Sequence, residues 1–148
     1  MSSRILIMNG PNLNLLGTRQ PEVYGRTTLS DVEDMCRSEA QTLGVTVSFF
    51  QSNSEGALLD ALHGARGHQD GVILNAGAYT HTSVALRDAI SGIELPVVEL
   101  HISNVHAREP FRHHSMISAV VLGQIAGFGV NGYRVALRAL AEHIGTTP

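Results

Sequence analysis

The chain has 148 residues, a formal net charge of −3, ten arginines and no lysine. That length suits one domain burying about two-thirds of its unfolded surface, and the acidic balance argues against a nucleic-acid partner, which needs a basic face. Without lysine there is no amine to form an imine with a carbonyl substrate, no anchor for pyridoxal phosphate and no P-loop.

Residues 4–8 (RILIM) read as a buried strand. An irregular segment, 9–27, follows; one of that size in a compact domain is usually functional. Residues 28–43 carry apolar side chains at helical spacing, with Thr28 and Asp31 as a capping pair and Gly44 as the stop. Residues 45–51 (VTVSFFQ) form the second strand, and 54–65 a helix with Ser54 as N-cap. The third strand is GVILN at 71–75, followed by a short helix over 83–90. Residues 96–101 (PVVELH) make the fourth strand, with Pro96 at its permitted first position. A fifth strand over 119–126, weakened by Gly123, precedes a closing helix over 130–144. Alternating strands and helices predict a single α/β domain with a five-stranded parallel sheet, doubly wound in the flavodoxin-like manner.

Ligands of such sheets bind beyond the carboxyl ends of the strands. There the chain places Asn9, Gly10 and Asn12, then Asn75, Gly77, Tyr79 and His81, then His101, Ser103, Asn104, His106, Arg108 and Arg112. The asparagines suit either a ligand or the backbone of a turn. Glu99 and His101 leave the same face of one strand. The pair reads either as a general acid with an orienting carboxylate or as a plain buried ion pair. Gly127–Gly132 spells G-x-G-x-x-G, but no strand with an acid about 20 residues on follows it. The glycines are therefore read as a tight turn with close helix packing. The histidines lack metal-ligand spacing, the first loop is poor in phosphate-cradling residues, and Cys36 sits on the core face of its helix. No metal or other cofactor is expected. No apolar run of about 18 residues and no basic-then-apolar leader is present, so no membrane contact and a cytoplasmic location are expected.

Within the first loop Arg19 stands five residues before Tyr24, and Gly17 and Gly25 bracket a lid over about 17–26. The Asn-Gly-Pro-Asn loop, Leu16-Gly17-x-Arg19-x-Pro21-x-x-Tyr24-Gly25, the run from Asn75 to Ser83, Glu99-Leu100-His101-Ile102-Ser103-Asn104, Arg108-Glu109-x-Phe111-Arg112 and Gly127-Phe128-Gly129-x-x-Gly132-Tyr133 together resemble the type II 3-dehydroquinate dehydratases. The likeness spans essentially the whole chain.

The resemblance implies an enzyme, a cofactor-free hydro-lyase of aromatic biosynthesis or quinate breakdown. It implies that Tyr24 takes a proton from the carbon beside the ketone of 3-dehydroquinate, and that Asn12 stabilises the enolate through a held water. His101, oriented by Glu99, then protonates the departing hydroxyl. A free tyrosine is ionised only about once in a thousand at pH 7, so a phenolate base needs a nearby cation, the role the resemblance gives Arg19. It places Asn75, Ile102 and Ser103 around the substrate carboxylate and His81 and Arg112 on the ring hydroxyls. Asp88 reaches a neighbouring subunit's site in a homo-oligomer, a dodecamer. Removing His101 is expected to lower turnover with little loss of stability. Two rival readings are a non-catalytic receiver or flavin module, for which the first loop lacks the residues, and a histidine-based metal hydrolase, which chelation would test.

Overall fold

The computed structural model describes residues 2–18 and 21–146; the side chains of Val23, Tyr24 and Thr146 lie outside that description. Strands β1 (Arg4–Asn9), β2 (Thr46–Gln51), β3 (Gly71–Asn75), β4 (Val97–His101) and β5 (Gly123–Ala126) form one sheet in the order β2-β1-β3-β4-β5. All four pairings are parallel. The helices are α1 (Pro21–Tyr24), α2 (Leu29–Leu43), α3 (Glu55–Ala65), α4 (Val84–Ile93) and α5 (Gly132–Thr146). This is the doubly wound, flavodoxin-like order expected from the sequence.

Strand alternation divides the core in two. Ile5, Ile7, Ile73, Val98 and Leu100 face α2 and α5, where they meet Val32, Cys36, Leu137 and Leu140. Leu6, Met8, Val72, Leu74 and Val97 face α3 and α4, against Leu58, Leu62, Leu86 and Ile90. Cys36 is fully buried, and that burial pushes its thiol up to about 12, which leaves it an inert core residue. The expected cap of α2 is present as a full capping box: Asp31 N–H donates to Thr28 Oγ1 at 3.1 Å, and Thr28 N–H donates to Asp31 Oδ2 at 3.0 Å.

Two element ends differ from the sequence reading by more than two residues, and the first loop differs in kind. The fifth strand begins at Gly123, because Ile117, Val120 and Val121 pack their apolar side chains into the α3–α4 core from a turn. Helix α4 runs through Ser91 and Gly92 to Ile93, which is buried; Glu94 ends it with a φ of 58°. The first loop is not structureless. It holds a 3-10 turn, Leu13–Leu15, and the one-turn α1, and Leu13 and Leu16 pin its first half into the core.

Two glycines show why the chain can bend as it does. A Cβ on Gly10 would lie 2.6 Å from the Ala76 carbonyl oxygen, so only glycine lets the β1 loop close onto the end of β3. A Cβ on Gly132 would lie 2.9 Å from Leu100 Cδ1, so the first turn of α5 seats directly on β4. The glycine-rich segment is thus a close-packing device, as its sequence context indicates.

Candidate active site

The sheet order reverses between β1 and β3, and there the loops leaving the strands separate to make a cleft. It encloses about 290 Å³. The β1 loop contributes Pro11, Asn12 and Leu13; the end of β3 contributes Asn75, Gly77, Ala78 and His81; the end of β4 contributes His101, Ile102, Ser103, Val105, Arg108 and Arg112. Eight named site candidates are described there or just behind it: Asn12, Asn75, His81, Glu99, His101, Ile102, Ser103 and Arg112.

The strand period puts Glu99 and His101 on the α3–α4 face, the side that Val97 also takes. His101 Nε2 lies 2.5 Å from Glu99 Oε2, with Glu99 wholly buried and His101 only 6% exposed. The contact is a charge-assisted hydrogen bond from ring nitrogen to carboxylate, which fixes the ring's rotation. The carboxylate's other oxygen, Oε1, accepts from Ser115 Oγ at 3.2 Å.

The opposite parity puts Asn9 and Asn75, partners across β1 and β3, on the α5 face. Both meet Tyr133 there. Its hydroxyl donates to Asn9 Oδ1 at 2.5 Å and accepts from Asn75 Nδ2 at 3.3 Å. Burial pushes the Tyr133 phenol far up, so it stays neutral and acts as a fixed strut. Asn75 Oδ1 accepts from Gly77 N–H, so both ends of its amide are oriented.

His81 stacks on His101, with ring centroids 6.3 Å apart and planes 19° apart. Its Nδ1 sits 2.8 Å from the His114 carbonyl oxygen, which only accepts, so Nδ1 carries the proton. Burial lowers the His81 pKa, with His101 and Arg112 adding to it against the bond to His114. The ring is therefore neutral at pH 7, and Nε2 is an acceptor for a hydroxyl proton. The folded state holds this proton less tightly than the unfolded chain. The group thus takes stability away as pH falls through the ordinary value of 6.5. An NMR titration of the His81 ring is expected to show a midpoint below that of free imidazole; one at or above it would contradict the neutral acceptor.

The β4 loop is braced by Glu109. Arg112 Nε donates to Glu109 Oε1 at 3.1 Å and Nη2 to Oε2 at 3.4 Å, while the Arg112 guanidinium lies 4.9 Å from the Phe111 ring centroid. Arg108 Nη1 donates to Ser103 Oγ at 3.3 Å, and His113 Nε2 meets the Arg108 carbonyl at 3.0 Å. On the other flank, Asn12 has a left-handed φ of 70°, and its N–H donates to Asn53 Oδ1 at 3.0 Å. Gln51 Nε2 donates to the Gly10 carbonyl oxygen and Tyr79 OH to the Asn53 carbonyl oxygen. Tyr79 thus braces this flank through its hydroxyl.

Other candidates stand apart. Arg19 and Gln20 lie outside the described residues, and of Tyr24 only the backbone, at the end of α1, is described. The glycines flanking this segment, Gly17 and Gly25, have φ of 91° and 79°. Asp88 is exposed on α4, beside His63 and Arg66 in an open hollow of about 580 Å³, outside the cleft of its own chain. The roles of Ser115, Tyr133, Glu109, Gln51 and Asn53 are not legible in the sequence. Their partners lie on other elements or depend on turn geometry, and only the Arg112-to-Glu109 spacing offered a local signal. Among the described residues no helix is long and apolar enough to cross a membrane, and no three His, Cys, Asp or Glu residues group as metal ligands.

The geometry can be set beside known proteins. Residues 3–141 match the family model described as dehydroquinase class II. The chain is 64% identical over 140 residues to a 3-dehydroquinate dehydratase of Ruegeria pomeroyi, covering 95% of this chain and 94% of that protein. It is 60% identical over 141 residues to a catabolic 3-dehydroquinase of Emericella nidulans, covering 95% and 92%. Among solved structures, a type II dehydroquinase from Propionibacterium acnes superposes with a TM-score of 0.92 at 43% identity, over 96% of this chain and 98% of that one. A cleft at the β1–β3 switch, a buried Glu99–His101 pair behind it and a match over nearly the full length agree: the chain belongs to the class II dehydroquinase family.

Proposed function

We propose that this class II dehydroquinase removes water from 3-dehydroquinate to give 3-dehydroshikimate through an enolate, without a cofactor, using Tyr24 as base and His101 as acid. The observation that carries the reading is the buried His101–Glu99 pair at the cleft, in a chain 64% identical to a 3-dehydroquinate dehydratase. The Tyr24 phenolate takes the proton from the carbon beside the ketone, and Arg19 holds the phenolate charged. Charge then gathers on the ketone oxygen, where Asn12 stabilises it through a held water. As the carbonyl re-forms, the β-hydroxyl departs, and the His101 proton makes it leave as water rather than hydroxide. The substrate carboxylate sits on Asn75 and the backbone amides of Ile102 and Ser103. One ring hydroxyl donates a hydrogen bond to His81 Nε2, and Arg112, braced by Glu109, binds another. Asp88 enters the site of a neighbouring subunit near Arg19, in a cytoplasmic dodecamer.

The test is a direct assay for the conjugated enone by its absorbance, with the solution mass measured on the same sample. The expected result is turnover by a dodecamer. Since there is no lysine, borohydride added during turnover is expected to leave the protein mass unchanged. A stable substrate adduct would overturn the enolate route in favour of covalent catalysis.

A further inference from the structure

A second polar cavity of about 220 Å³ shares the stacked His81 and His101 rings with the cleft. Glu99 and Ser115 line it, and neither lines the cleft itself. We propose that Ser115 is a positioning residue for the dehydration, acting through Glu99 on the proton of His101. The inference rests on His101 acting as the acid.

The geometry of one hydroxyl carries the argument. Ser115 Oγ accepts from the N–H of Ile117 at 3.2 Å and from the N–H of Ser118 at 3.1 Å. A serine hydroxyl has two lone pairs and one proton. Both lone pairs are taken by donors that have no choice of direction, so the proton points to the remaining partner, Glu99 Oε1, at 3.2 Å. The turn at 115–118 thereby aims a hydrogen-bond donor at a wholly buried carboxylate whose other oxygen holds His101. A donor to the charged form favours that form. Ser115 therefore keeps Glu99 an anion that accepts at both oxygens, rather than a base that draws the proton off His101. The pair then binds its proton less tightly, and His101 gives it up more readily to the departing hydroxyl. The other titratable groups around the pair are His81, His106, Arg112, His113 and His114, all unchanged by a substitution at 115.

In Ser115→Ala, kcat is expected to fall about 5- to 20-fold with KM within about twofold of native. The limb of the kcat–pH profile that belongs to the Glu99–His101 pair is expected to move up by about half to one unit. The loss of the hydroxyl that accepts from two backbone N–H groups also lowers thermal stability, so profiles are recorded well below the melting transition. Ser115→Thr and Ser115→Cys supply graded donors, and rate and profile should recover in the order Thr, Cys, Ala. A folded Ser115→Ala enzyme with native kcat and an unmoved profile overturns the proposal, as does a loss of rate with an unmoved profile that neither donor restores. His101→Gln in the same assay separates the two readings. Native turnover there refutes His101 as acid; a disabled His101→Gln enzyme beside an unaffected Ser115→Ala enzyme refutes only the role of Ser115.

Discussion

Replacing Tyr24 with phenylalanine is expected to lower kcat for 3-dehydroquinate by about 10³- to 10⁴-fold while leaving the protein folded, as read by thermal unfolding and the enone assay. The substitution keeps the ring and removes one oxygen, so whatever the ring packs against is preserved. The oxygen is what the reaction needs. A proton next to a ketone is weakly acidic, and a base that removes it must be both strong and available near neutral pH. A phenolate is strong enough, and a neighbouring guanidinium makes it available. In the proposed reading this segment carries the base: α1 ends at Tyr24, and Gly17 and Gly25 on either side have positive φ. A Tyr24→Phe enzyme with a near-native rate would move the base elsewhere. His81, with a protonated Nδ1 and an open Nε2 on the cleft, is the neutral imidazole that would inherit the role.

Such a test depends on features that differ in how far the sequence exposes them. Glu99 and His101 were legible because a strand's period of two fixes their common face whatever surrounds them. The order of the strands was legible because right-handed crossovers leave few arrangements. The carboxyl-edge asparagines were legible as a cluster but not by their separate fates. Asn9 turns to the α5 face and binds Tyr133, Asn75 binds Tyr133 while also lining the cleft, and Asn12 lines the cleft from a left-handed turn. Deciding between those fates requires knowing that residue 133 arrives beneath residues 9 and 75, a contact between chain segments far apart in sequence. Ser115 is hidden for a different reason. It lies in a turn without regular period, and its meaning depends on three hydrogen bonds around one oxygen. The strand expected from 119 was wrong for a related cause: an apolar run reads as a strand, yet Val120 and Val121 satisfy their apolar surface from a turn.

The second large effect separates chemistry from stability at His101. From the sequence, His101→Ala is expected to cost turnover and little else, as for a side chain at a strand end. The structure changes that expectation. Glu99 is fully buried and one of its oxygens is held by His101 at 2.5 Å. Deleting the imidazole leaves a buried carboxylate with, among the described residues, the Ser115 hydroxyl as its side-chain partner, and breaking a buried pair by removing one member costs about 3–5 kcal/mol. His101→Ala is therefore expected to lower kcat by about 10²- to 10⁴-fold and also to lower the unfolding free energy by about that amount, measured by denaturant titration. His101→Gln is expected to part the two. Its amide donates to Glu99 and fills much of the same space, so most of the stability returns, but an amide has no proton to give and kcat stays low. Near-native activity in His101→Gln would show that the leaving hydroxyl takes its proton from another group. Near-native stability in His101→Ala would show that Glu99 does not depend on this partner for its place in the core.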